Sequence, residues 1–178
     1  MFLMSTFNDL LQQNCFSNDA QIRRTAAIEL EHNYNCEINC LQLDSSVQFA
    51  HHARNSIIIA SKICQDTVIF QNVTIGSNQK FNLATQEWKN LGNPVIGAHV
   101  VVADGAKVLG PIIIGDNSVI GAGAIITKDV PANSVAFGVN QIKPKPDNYD
   151  LVFHDPMPTP GALIVACEDV IDRYETQC

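Results

Sequence analysis

A step of six residues governs the middle of this sequence. Counting from Ile96 gives Ile96, Val102, Val108, Ile114, Ile120 and Ile126, all β-branched aliphatics. The residues that follow them are Gly97, Ala103, Leu109, Gly115, Gly121 and Thr127, most of them tiny. The fifth place in each step holds Val100, Ala106, Ile112, Ser118, Ala124 and Val130. The same step links Ile57, Ile63, Ile69 and Ile75, and Leu43 and Phe49 keep it upstream, with a phase slip of two residues between Phe49 and Ile57. Ordinary strands with accidental spacing would not hold three columns over this many steps. A period of six fits neither the 3.6 of a helix nor the 2 of a half-buried strand. It fits one flat side of a three-sided coil, with three hexads to a turn. The aliphatic column then points into a prism-shaped interior, where each side chain contributes about 1.5–3 kcal/mol of burial. Small residues follow it where the chain must bend. The expected fold class is an all-β core, a parallel β-helix, with a helical segment at each end.

Three regions follow from this reading. Residues 1–34 form an N-terminal helical segment, with helix over 5–31: Phe7, Leu10 and Leu11 share one face, Asn18 with Gln21 resembles a capping box, and Ile22, Ala26 and Leu30 continue a stripe. Residues 35–142 form the β-helix. Its repeat is broken by residues 77–94, which a solenoid can extrude at a corner without disturbing its core. This insertion carries Trp88, the single tryptophan, with Lys80, Gln86, Glu87 and Lys89. A long loop in a compact domain is usually functional or disordered, and the Trp favours an ordered loop that packs on another subunit or covers a site. Residues 143–178 form a linker marked by Pro156, Pro158 and Pro160, then an amphipathic helix with Leu163, Ile164, Cys167, Val170, Ile171 and Tyr174 on one face. That face is expected to pack on the domain or on a neighbouring subunit.

Composition narrows the function. A net charge of −7 offers no basic stripe for nucleic acid. No apolar run is long enough to span a membrane. No secretory signal is visible, because Asn8 and Asp9 interrupt the first apolar stretch. The six cysteines contain no CxxC pair, so free thiols in a cytoplasmic protein are expected. Cys36 and Cys40 lack the second pair that a structural metal site needs, and no metal is expected.

Two segments carry a resemblance. VIFQNVTIG, residues 68–76, resembles the sequence before the extruded loop of bacterial serine acetyltransferases. Residues 93–139, with DGAKVLGP, IGAGAIITKDVP and a closing GV, resemble the segment after it. The resemblance covers about residues 37–142. It implies a left-handed β-helix, a homotrimer with active sites between subunits, and acetyl-CoA as acyl donor lying along a groove between coils. It also implies that small residues on the late coils, here Ala103, Gly105, Ala106, Gly121, Gly123 and Ala124, admit the pantetheine. Lys128, Lys143 and Lys145 are the candidate phosphate contacts, though a lone lysine is more often solvated surface. Asp104 stands where the family has a small residue, and Asn140-Gln141 stands where it has Pro-Ala.

Acetyl transfer to a hydroxyl needs a base, and histidine, with an ordinary pKa near neutrality, suits the task. The family's base precedes the VTIG strand, where this chain has His51-His52-Ala53. Gapless counting from Ile69 favours His51; matching the alanine favours His52. On an extended segment the two would point to opposite sides, so one is the base and the other is structural. The family's orienting carboxylate corresponds to Glu37, in Glu37-Ile38. The family's second histidine, before Pro at the loop's end, is replaced here by Asn93, which cannot act as a base. Asn93 and Trp88 are therefore candidate acceptor-binding residues, and the acceptor is a sugar or serine-like hydroxyl. Three other readings remain at this point. One is a catalytically silent structural β-helix. Another is N-acetyl transfer to an amino sugar. The third is a zinc lyase, which would need three converging ligands from His32, His51, His52, His99 and His154.

Overall fold

The computed structural model describes residues 5–77, 79–147 and 160–176. Pro156 and Pro158 of the expected linker, and also His154 and Cys178, lie outside the described residues. The chain runs as α1 (Phe7–Phe16), α2 (Ala20–Tyr34), β1 (Glu37–Leu43), β2 (Gln48–Phe49), β3 (Ile57–Ile63), β4 (Val68–Ile69) and β5 (Thr74–Gly76). The hairpin β6 (Gln79–Asn82) and β7 (Glu87–Asn90) follows. Then come β8 (Val95–Ile96), β9 (Val101–Val102), β10 (Lys107–Leu109), β11 (Ile113–Ile114), β12 (Val119–Ile120), β13 (Ile125–Ile126), β14 (Ser134–Phe137) and β15 (Gln141–Pro144), and last α3 (Pro160–Glu175).

The strands wind as a left-handed parallel β-helix of about 5 turns. The first side stacks the start of β3 on β5, β10 and β13. The second stacks the end of β3 on β8 and β11. The third stacks β2, β4, β9, β12 and β14. β1 and β3 pair along their length and run through the corner between the first two sides. Backbone bonds tie coil to coil, for example Val68 N–H to Val100 O at 2.9 Å and Val101 N–H to Ser118 O at 3.0 Å.

The inward column is as expected from Ile96 to Ile126: all six aliphatics are fully buried, and so are Ile63, Ile69 and Ile75. Ile57 departs from it. It is 47% exposed, and Ile58 is buried in its place. The reason lies inside β3, which crosses its corner in a step of five from the inward Ile58 to the inward Ile63, where later coils step six. Gly97 and Gly115 meet the demand for small residues. A Cβ on Gly97 would sit 2.8 Å from the carbonyl oxygen of Ile114, and one on Gly115 would overlap the backbone at Ala132.

The N-terminal segment is two helices, not one. Thr6 and Asp9 form the capping box of α1, and Asp19, not Asn18, caps α2 by accepting from the N–H groups of Gln21 and Ile22. Asp19 wins because its carboxylate lies one residue closer to the exposed amides. Phe7, Leu10, Leu11, Ala26 and Leu30 are buried against the first coil, whereas Ile22 is 44% exposed. In α3, Ile164, Val170, Ile171 and Tyr174 are exposed, and Pro160 begins the helix rather than marking the linker. Cys15, Cys36, Cys40, Cys64 and Cys167 are free thiols. Burial, helped by nearby Cys40, pushes the Cys15 thiol up to about 12, and burial pushes Cys36 up to about 11. Such thiols stay protonated and unreactive at neutral pH. No helix among the described residues is long and apolar enough to cross a membrane.

The buried column makes a direct prediction. Ile120→Ala should destabilise the fold by about 2–5 kcal/mol, because it removes a fully packed side chain. Ile57→Ala, at the exposed position, should cost under about 1 kcal/mol. Urea titration of the two variants checks the contrast, and equal losses would place Ile57 in the core after all.

Candidate active site

The corner between the third and first sides carries most of the candidate residues. On successive coils this edge is built by residues 50–56, 70–73, 103–106 and 121–124. It therefore brings His51 and His52, on the first coil, into line with Ala103 and Gly105, then Gly121 and Gly123. Adjacent coils in such a stack lie about 4.8 Å apart. Gly105 N–H donates to Gln71 O at 3.2 Å and Gly123 N–H to Asp104 O at 2.8 Å, which fixes the vertical order. Gly105 and Gly123 have φ of 71° and 64°, and the site of a Cβ on Gly123 is open. Ala106 and Ala124 are fully buried in the prism, so they reach this edge through backbone only.

The histidine turn has its own geometry. His51, His52 and Ala53 have φ of 52°, 59° and 48°. The same corner adds a fourth left-handed residue at Asn55, whereas elsewhere a single one suffices, such as Asn72, His99 or Asn117. Three in a row cost backbone energy on the order of 1–2 kcal/mol each and persist only where the surroundings hold them. Ala53 is fully buried, and its carbonyl accepts from Ser56 N–H at 3.1 Å. His52 lies against the N-terminal helices, its ring 5.3 Å from Phe7 and 5.4 Å from Tyr34. His51 lies on the outer surface, its ring 6.3 Å from Phe70 of the next coil. The segment is thus a left-handed turn rather than extended chain, yet the two rings still face different surroundings. Both histidines are exposed.

Polar side chains bind the edge together. Asn35 donates to Asn55 at 2.8 Å, Asn55 to Asn72 at 3.1 Å, and Asn72 to Asp104 at 2.8 Å. Asp104 thereby ends a ladder of amides, which accounts for a carboxylate at this place. Lys107 reaches back to Asn72 O and to Thr74 Oγ1 at 3.2 and 3.0 Å. Gln71 is half-buried, and its Oε1 is the one buried side-chain oxygen or nitrogen without a partner among the described residues. Phe70, Gln71 and Lys107 did not stand out in the sequence. The hexad register could have found Phe70 and Gln71, since residues one and two places after Ile69, Val102 and Ile120 share this edge.

Other candidates lie elsewhere. Glu37 is exposed, its N–H bonded to Ser56 O at 2.9 Å. With Arg23, Arg24 and Glu31 it lines a cavity of about 450 Å³ between α2 and β1. No hydrogen bond or ion pair joins it to either histidine among the described residues. Lys128 follows Ile126 on the edge that extrudes the loop, and Lys143 lies over the Phe137 ring at 5.4 Å. Lys145 Nζ donates to Asn117 at 2.6 Å. Trp88 is 66% exposed and pairs across the hairpin with Phe81, rings 5.1 Å apart. Ser61 Oγ donates to Asn93 O at 2.9 Å and Ser61 N–H to Pro94 O at 2.8 Å, anchoring the returning loop. Trp88 and Asn93 therefore belong to one edge of the prism and His51 to another. His99, at a third corner, sits 3.7 Å from Asp66, apart from the other histidines. No three His, Cys, Asp or Glu side chains among the described residues are grouped to hold a metal.

Comparison with known proteins agrees with this architecture. The bacterial transferase hexapeptide family, in its six-repeat form, matches residues 93–128. A serine acetyltransferase of Synechococcus elongatus is 34% identical over 130 residues, covering 71% of this chain and 50% of that protein. The galactoside O-acetyltransferase of Escherichia coli is 58% identical over 50 residues, 28% of this chain and 22% of that one. A solved serine acetyltransferase in complex with CoA superposes with a TM-score of 0.56 at 22% identity, covering 77% of this chain and 52% of that one, and shares the fold. The chain spans about half the length of the serine acetyltransferases it matches. By repeat, fold and sequence similarity it is a serine acetyltransferase-like hexapeptide-repeat protein.

Proposed function

We propose that this chain is an acetyl-CoA-dependent O-acetyltransferase with His51 as general base. The observation that carries the reading is the alignment of His51 with Gly105 and Gly123 along one edge of the prism. A pantetheine arm lying on the open backbone of those coils brings its thioester towards the histidine turn. The matched relatives, named for acetyl transfer to serine and to galactosides, and the CoA complex of a solved one support acetyl-CoA as donor.

In this mechanism the acceptor oxygen attacks the thioester carbonyl carbon while His51 takes its proton. The carbonyl π pair moves onto oxygen. Collapse of the tetrahedral intermediate re-forms the C=O bond, breaks the C–S bond, and the leaving thiolate recovers the proton from the imidazolium. Glu37 is the proposed carboxylate that orients the imidazole; in the free chain no bond joins the two, and such contacts often tighten only around substrate. Lys128 and Lys143 are the proposed partners of the nucleotide phosphates.

The chain alone leaves this site one-sided. The loop edge with Trp88 and Asn93 is separated from the histidine edge by a full side of the prism, so it reaches a histidine turn only on a second copy. The proposed assembly is a homotrimer in which the loop edge of one chain faces the histidine edge of the next. Exposed Ile125 and Val139, along with Phe81 and Trp88 on the hairpin, supply apolar surface for it. Sedimentation should show a trimer at micromolar concentration, and a stable monomer would count decisively against this arrangement.

The base assignment has a separate test. His51→Ala should slow transfer by roughly 10²–10⁴-fold with acetyl-CoA affinity nearly intact. His52→Ala should chiefly lower the melting temperature, because it removes the ring between Phe7 and Tyr34. If neither variant slows acetylation of the best acceptor, the mechanism fails.

The acceptor follows from Asn93. A second base at the loop's end is missing, so L-serine should be a poor acceptor and a sugar hydroxyl a better one, consistent with the 58% identity to the galactoside enzyme over the matched coils. Following thiol release with L-serine and with methyl β-galactoside distinguishes them. Faster turnover of serine than of the galactoside would reverse this assignment.

A further inference from the structure

Gln71 occupies the coil between the histidine turn and the glycine coils. Its neighbour Phe70 lies 6.3 Å from the His51 ring, and its backbone oxygen holds Gly105 N–H at 3.2 Å. Its carboxamide is uncommitted at both ends: Oε1 is buried without a partner, and Nε2 makes no hydrogen bond among the described residues. The surrounding amides are all engaged, Asn35, Asn55 and Asn72 in the ladder that ends on Asp104. A buried polar atom without a partner is rare in a folded protein and calls for a reason. Here the fold holds an unspent amide at the level of the edge where a thioester, anchored on Gly105 and Gly123, would pass towards His51.

Resting on the acetyl-transfer reading, we infer that Gln71 is a catalytic residue that donates from Nε2 to the thioester carbonyl oxygen and stabilises the oxyanion. When His51 takes the acceptor's proton, the electron pair displaced from the C=O bond settles on that oxygen, opposite the N–H donor. A donor placed where charge develops, with no competing partner, stabilises the oxyanion more than the ground-state carbonyl.

Two measurements on the full chain test this. In ¹H–¹⁵N spectra, the side-chain amide pair that vanishes in Gln71→Glu should shift when acetyl-CoA is added, and shift less with CoA, which lacks the carbonyl. If the backbone amides of Gly105 and Gly123 move with acetyl-CoA while the Gln71 pair stays still, the role of Gln71 is refuted and the donor site survives. If none of them moves, the acetyl-CoA reading falls and Gln71 with it. In thiol-release assays with acetyl-CoA and methyl β-galactoside or L-serine, Gln71→Glu should lower kcat by about 10²–10³-fold, since it trades the donor for a repelling oxygen. KM for acetyl-CoA should change little. Gln71→Met, similar in length but without a donor, should fall likewise and covers the case in which the glutamate variant fails to fold. Wild-type kcat in either folded variant would overturn the inference.

Discussion

Everything in this molecule depends on the stacking of one aliphatic residue upon its equivalent a coil away. Ile69 over Val102 over Ile120, and Ile75 over Val108 over Ile126, fill the prism with fully buried aliphatic side chains. The parallel backbone bonds hold only while those side chains remain in register, because a slip of one residue would turn the column outward. The tiny residues at Gly97 and Gly115 serve the same constraint: the next coil passes so close that a Cβ would meet backbone.

A filled prism leaves no interior for a ligand. Chemistry is therefore confined to the edges, where the chain bends and backbone groups reach solvent. Each bend needs a left-handed residue, and Asn, Asp and His tolerate that conformation better than most. The same substitutions that solve the bending problem place amides and carboxylates in vertical rows. One row became the Asn35–Asn55–Asn72–Asp104 ladder, and the adjacent positions carry His51, Gln71 and Gly105. The longer bend at residues 50–56 keeps His51 on this edge, over Phe70 of the next coil, and the N-terminal helices seat His52 beside it. Those helices are thus more than a cap on the first coil, since Phe7 and Tyr34 pack on the residue next to the proposed base.

The extruded loop shows the same economy. It leaves after Gly76 and returns at Asn93-Pro94 on the same corner, held by Ser61 of the previous coil. The hairpin within it pairs the rings of Phe81 and Trp88 across its two strands. Its separation from the histidine edge is a consequence of three-sided winding, and it makes the proposed site a property of two chains.

The β-helix, its phase from Ile96 onward and the extruded loop were all legible in the residues, because a period of six has few physical solutions and repeats its signal at every coil. The resemblance to serine acetyltransferases added handedness and the small-residue coils. What the sequence left open were the places where a single bend departs from the repeat. Ile58 rather than Ile57 turns inward because β3 crosses its corner in a step of five to Ile63 instead of six. Asp19 rather than Asn18 caps α2, a choice between two adjacent acceptors that local sequence does not decide. The left-handed run at His51, His52 and Ala53 is seated against Phe7 and Tyr34, distant in the chain. Glu37 follows the edge that carries His51, but nothing in its spacing tells whether the two side chains meet. The unpartnered amide of Gln71 was invisible for the same reason. A periodic pattern encodes which residues face inward; only the stacked coils decide which outward groups find partners, because those partners come from other turns of the chain.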